Sequence, residues 1–225
     1  NYSDNPDWRA GAYYDFIGYG KGINPMHTFG LNAGVRAFDF ANASLFFDRK
    51  RLENNSTVIQ KRLYSDNYKV RWDLDANYRL KMGAEYTFMD YSDGNYNNLP
   101  AVDLKYLVSL EPKELSLKYR YFYQNYRRKL TDYFSPKGFS TNVAGVNWRH
   151  SLSRKESFFG NDELYYDLGY QASVDSQDIV CHNFNAGLYW DISRRFNLNI
   201  VFSQTESSAS VYKDKSVSMR ARYYF

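Results

Sequence analysis

The chain has 225 residues, 19% of them aromatic with tyrosine alone numbering 23, and 29 basic against 25 acidic side chains leave a formal charge of +4. That mild excess gives no support for nucleic acid as a partner, and a single cysteine, Cys181, excludes an internal disulfide. No run of about 18 apolar residues is present, which excludes a transmembrane helix but not a membrane protein built from alternating strands.

Taken in chain order, the sequence alternates with a period of two almost throughout. Trp8, Ala10, Ala12, Tyr14 and Phe16 alternate with Arg9, Gly11, Tyr13 and Asp15, predicting a strand over 8–17. Phe29, Leu31, Ala33 and Val35 alternate with Gly30, Asn32, Gly34 and Arg36 over 27–37. A third strand is read at 42–52. In 67–79, Tyr68, Val70, Trp72, Leu74, Ala76 and Tyr78 oppose Lys69, Arg71, Asp73, Asp75, Asn77 and Arg79. Further strands follow at 82–91, 100–110, 115–126, 139–150, 163–173, 181–190, 195–205 and 214–225. Val217, Met219, Ala221, Tyr223 and Phe225 fall on one face of the last strand, and Arg220, Arg222 and Tyr224 on the other. No amphipathic helix and no linker interrupts the series, so 1–225 reads as one domain. No secretory leader is read; the chain starts at Asn1 as a mature or trimmed protein would.

The connections after the second, fourth, sixth and tenth strands are short, whereas most of those after odd strands are longer and polar. The segment 151–162 is the exception, long on the short side. Short turns at one end and long loops at the other, with an even number of strands, describe an outer-membrane barrel. A soluble sandwich or lipocalin-like barrel also alternates. Strand lengths sufficient to cross a bilayer at a tilt favour the membrane reading, as do Trp8, Trp148 and Trp190 near the short-turn end. The expected fold is therefore all-β: a transmembrane, antiparallel, up-and-down β-barrel of about twelve strands ending in Phe225, in the bacterial outer membrane. There its apolar face, including Met219, Tyr223 and Phe225, meets lipid and lipopolysaccharide. The terminal Phe resembles the signal by which the outer-membrane assembly machinery recognises its clients.

Catalytic chemistry finds little support. Histidines are scarce, His27, His150 and His182; His182 has no neighbouring serine motif to pair with, no His/Cys/Asp spacing suits a metal, and no glycine-rich phosphate loop is present. No catalytic residue, metal or cofactor is assigned, and the expectation is that the protein is not an enzyme. The polar face is more informative. Parity places Arg9, Arg36, Lys50, Lys69, Arg71, Arg79, Lys105, Lys118, Arg120, Arg149, Arg220 and Arg222 on it. Asp15, Asp48, Asp73, Asp75, Glu85, Asp103 and Asp167 are interspersed, with the aromatics Tyr13, Phe38, Phe122, Tyr165, Tyr189 and Tyr224. These are the candidate pore-lining residues. Two outcomes are open: a hydrated conduit with a basic, aromatic wall, or charges that pair across strands and fill the barrel.

Two segments carry a resemblance. "YSDGNYNNL" (Tyr91–Leu99) follows the fifth strand, and "DYFSPKGF" (Asp132–Phe139) leads into the eighth, with five strands after Pro136. Over about 91–225 the chain resembles the C-terminal barrels of exopolysaccharide-export porins of the cellulose and poly-N-acetylglucosamine type, which are often fused to periplasmic tetratricopeptide repeats. Those barrels are typically sixteen-stranded, and no repeat helices precede this one. The resemblance implies a conduit for a secreted glycan, with Tyr133, Phe134 and Pro136 at its outer mouth. The expected function is an outer-membrane channel for a glycan or acidic oligosaccharide. The alternative is a plugged barrel that anchors a surface or periplasmic partner.

Overall fold

In the computed structural model the described residues are 7–17, 26–52, 61–152, 163–193, 196–209 and 213–223. They form one antiparallel sheet in which sequence order is spatial order. Its strands are β1 (Asp7–Ile17), β2 (Met26–Phe38), β3 (Ala41–Arg51), β4 (Tyr64–Asp75), β5 (Leu80–Tyr91), β6 (Tyr96–Ser109), β7 (Lys113–Tyr126), β8 (Phe139–Ser151), β9 (Glu163–Asp175), β10 (Val180–Ser193), β11 (Phe196–Ser207) and β12 (Lys213–Tyr223). Every strand read from the period-two pattern is present, and the up-and-down order needs only hairpin connections. Tyr224 and Phe225, and the connections at 18–25, 53–60 and 153–162, lie outside the described residues.

Two boundaries differ from the sequence reading by four residues, and the other described ones by three or fewer. β4 stops at Asp75, and 76–79 make the turn into β5, so Tyr78 and Arg79 leave the alternation. β6 starts at Tyr96 and carries Pro100 in its interior, which reduces the polar loop after β5 to 92–95. The cause is local. Gly94 adopts φ 75, the Asp93 carboxylate accepts from the Asn95 amide at 2.9 Å, and the Gly94 amide donates to the Tyr91 carbonyl at 2.8 Å. A tight turn of this chemistry reverses the chain in four residues.

The strands fall into two compact units. In the first (residues 1–77, 81–103 and 121–140), the register carries Arg9 onto Gly34, Ser44, Arg71 and Glu85, and Trp8 onto Val35, Ala43, Trp72 and Ala84. One row is polar and its neighbour apolar. The apolar row is the exposed one: Trp8 is 73% and Leu45 58% exposed, whereas Thr87 on the polar face is 3% exposed. The second unit (residues 78–80, 104–120 and 141–225) repeats the inversion, with Met219 at 70% and Ser116 at 0%. A water-soluble sheet sorts these side chains the other way round. Strands that turn their apolar face to lipid sort them as seen here.

Candidate functional site

The polar face of the first unit is organised around Arg71 of β4. Its guanidinium donates to Asp73 at 2.8 Å, to Glu85 Oε2 at 3.2 Å and to Asp103 Oδ2 at 3.2 Å. Lys69, next on the same face, reaches Glu85 at 3.7 Å and lies 5.7 Å over the Phe46 ring. Arg9 and Arg36 line a shallow depression of about 300 Å³ with Asn42, Ser44 and Asp73. Arg36 donates to the Asp39 carbonyl at 3.0 Å, and Arg9 has no hydrogen-bond or ion-pair partner among the described residues. Tyr13 shares the face and lies across the β2 backbone at Gly30, and half-buried Phe122 of β7 belongs to this unit.

In the second unit Arg149 of β8 donates to Asp167 of β9 at 3.2 Å and lies 4.9 Å over the Tyr165 ring. Tyr165 in turn stacks on Tyr189 of β10 with centroids 4.7 Å apart and planes 12° apart. The register continues from Tyr189 to Asn199 and Arg220, and from Asp191 to Asn197 and Arg222. Arg220 and Arg222 are exposed and without partners among the described residues, as is Lys118 of β7; Arg120 is half-buried. Lys105 pairs with Glu114 at 3.1 Å.

Arg79 is a correction. It sits in the 76–79 turn, with Nε donating to the Tyr78 hydroxyl at 3.1 Å and its guanidinium 5.3 Å from the Tyr78 ring. Alternation holds only while the backbone is extended, and here the strand has ended four residues earlier.

The polar face also has a texture that the sequence does not show. Tyr13 leans over Gly30, Asn185 over Gly169, Gln171 over Gly145 and Tyr189 over Gly187. A Cβ added at any of these glycines would fall under 3 Å from the covering side chain. Long polar side chains thus rest along the sheet instead of standing away from it.

The 127–138 connection is folded onto the polar face at the long-loop end. Tyr133 is 5% exposed and stacks on Tyr91 at 5.3 Å, with Tyr126 and Leu63 completing the cluster. Pro136 is buried and its carbonyl accepts from Tyr126 at 3.2 Å, while Phe134 is 59% exposed and meets Phe139 edge-on. Burial raises the Tyr133 phenol above its ordinary range, with Asp93 adding to the rise.

Asn95, fully buried, clasps this loop to the β5–β6 turn. Its Nδ2 donates to the Arg128 carbonyl and the Tyr133 hydroxyl at 3.0 Å each, and its Oδ1 accepts from the Arg128 amide at 2.9 Å. The sequence reading missed this residue, because only its turn signal is local. Asn95→Ala is expected to cost about 1–3 kcal/mol, the range for orphaned buried polar groups. It should also open Arg127 and Arg128 to trypsin; urea unfolding and limited proteolysis beside Asn98→Ala check both.

No protein-family model and no curated protein matches the chain. Among solved structures, it is similar to a bacterial polysaccharide outer membrane secretin at TM-score 0.76 and 14% identity, over 97% of this chain and 76% of that one. The chain has the fold of a bacterial outer-membrane β-barrel. Weaker likenesses include a KdgM porin in complex with disordered oligogalacturonate (TM-score 0.44, 12% identity, 98% of this chain and 99% of that one) and the loop-deleted OmpT outer membrane protein of Vibrio cholerae (0.48, 8%, 98% and 99%). At these scores they carry no argument.

In this barrel fold the histidines sit on the apolar face, each beside a tyrosine of the adjoining strand. His27 Nδ1 pairs with the Tyr14 hydroxyl, His150 with Tyr166 at 3.0 Å and His182 with Tyr170 at 2.7 Å. Such amphipathic pairs suit the ends of strands that meet a membrane interface.

Proposed function

We propose that the chain works as an outer-membrane channel wall for a glycan, in polysaccharide export. The carrying observation is the way long polar-face side chains lean along the sheet. Tyr13, Gln171, Asn185 and Tyr189 reach over glycines, where no other side chain competes. A face built to fill a barrel would instead stand its side chains upright and interlock them. Aromatic rings and amides laid along a wall offer stacking and hydrogen bonds to a sliding sugar. The fold likeness to the polysaccharide secretin supports the same class of cargo.

Charge pairing moderates the expected selectivity. Arg71 and Arg149 are engaged by carboxylates, so anion preference rests on Arg9, Arg36, Arg220, Arg222 and Lys118. Planar-bilayer recording of the refolded protein at low salt should give steady, weakly anion-selective current that oligosaccharides interrupt. Joint Arg220→Ala and Arg222→Ala substitution should lower the anion preference about twofold, from the loss of two unscreened charges in a site of reduced dielectric. Silence from correctly folded protein would overturn the channel and favour the plugged, partner-anchoring barrel.

A further inference from the structure

The row Tyr165–Tyr189–Asn199–Arg220 runs across four strands on the polar face of the second unit, near the short-turn end of β10, and Arg149, whose register partner is Asp167, reaches over its Tyr165 end from β8. Its two tyrosine rings are parallel, with centroids 4.7 Å apart. Strand order puts Arg149 on the β8 side of Tyr165 and Tyr189 on the β10 side. One face of Tyr165 is therefore taken by a guanidinium and the other by a ring. The remaining face of Tyr189 turns toward β11, where Asn199 is its register partner and Arg220 of β12 follows. Tyr189 is also held in place, because its ring lies over Gly187 where no side chain competes.

The two ends of the row differ electrostatically. Arg149 is neutralised by Asp167, whereas Arg220 has no partner among the described residues. Asp191 lies one row further toward the short turn, in register with Asn197 and Arg222. From Tyr189 to Arg220 is two strand spacings, about 10 Å. A pyranose ring seated on Tyr189 would cover Asn199 and place a substituent within reach of the Arg220 guanidinium. Aromatic face, amide and free guanidinium in one line match an acidic sugar: C–H groups on the ring, hydroxyls on Asn199, and the carboxylate held by Arg220.

We propose that Tyr189, Asn199 and Arg220 form a binding subsite for an anionic pyranose, a uronic-acid residue of the transported chain. The subsite rests on the sugar-channel reading above and narrows its substrate class. Titration calorimetry of the detergent-solubilised protein with trigalacturonate, and with maltotriose as the uncharged match, tests it. Trigalacturonate should bind at least tenfold more tightly. Arg220→Gln, a change at an exposed side chain, should abolish that preference while leaving maltotriose binding unchanged. Tyr189→Ala should weaken both sugars about tenfold and Tyr189→Phe should restore them. Lys113→Gln, at an exposed lysine at the start of β7, should leave both affinities unchanged. Equal affinity for the two sugars, or a preference that survives Arg220→Gln, overturns the subsite. Bilayer recording on the same preparations separates this from the broader reading: current with no uronate preference removes the subsite and keeps the channel. Uronate binding lost in Arg220→Gln but with no current removes the channel and keeps the subsite.

Discussion

Arg71→Met is expected to destabilise the folded chain by about 1–3 kcal/mol, the range for removing the partner of a half-buried, hydrogen-bonded carboxylate cluster. Asp73, Glu85 and Asp103 all meet at this guanidinium, while Lys69 lies further from Glu85, at 3.7 Å. Glu85 is the best shielded of the three, with its side chain 9% exposed, so its repulsion is the least screened. Urea unfolding followed by tryptophan fluorescence, with Trp72 on the adjoining face as a reporter, gives the difference. Arg9→Met, which removes a cation without partners, should change stability by less than about 0.5 kcal/mol, as an unconstrained surface change does. The double change Arg71→Met with Glu85→Gln should recover part of the loss. If the single change leaves stability untouched, the network contributes nothing and the carboxylates are solvated. If the proposed channel forms, the same variant should turn it toward cations, since it leaves a net excess of carboxylates on that stretch of wall.

Leu45→Arg, on the opposite face of the neighbouring strand, is expected to cost about 2–4 kcal/mol for folding into lipid vesicles, as a charge near the bilayer midplane does. Leu45 lies midway along β3 and is 58% exposed, in register with Ala33 and Val70. In a water-soluble sheet an arginine at an exposed leucine position would be tolerated or favoured. The sign of the change therefore decides between the two environments. Leu45→Met, which keeps volume and polarity, should cost less than about 1.5 kcal/mol. Denaturant titration in vesicles of matched thickness checks the pair.

The strands were legible because their signal is local. A period of two in Trp8–Ile17 or Tyr68–Asp75 states which side chains share a face before any partner strand is known. The faces of Arg9, Arg71, Arg149 and Arg220 follow from it directly. Arg79 escaped for the same reason: nothing within the pattern marks Asp75 as the last extended residue, and alternation was carried four positions too far. The short β5–β6 connection was partly visible in Asp93-Gly94, whose turn chemistry is local. Its polar neighbours Asn97 and Asn98 nonetheless read as loop when they are strand.

What the amino-acid sequence determined by itself was the alternation, the twelve strands, the apolar and polar faces and so the barrel class. Each of these depends on residues within a few positions of one another. Only the tertiary structure decided how the polar face is used. Arg71 meets Asp103 across 32 residues of chain, and Asn95 holds Arg128 across 33. Tyr13 finds its resting place over Gly30 only once β1 and β2 are in register. Whether a guanidinium is left free or held by a carboxylate is thus a property of strand register. Register is set by turns and cross-strand packing together, and composition does not encode it.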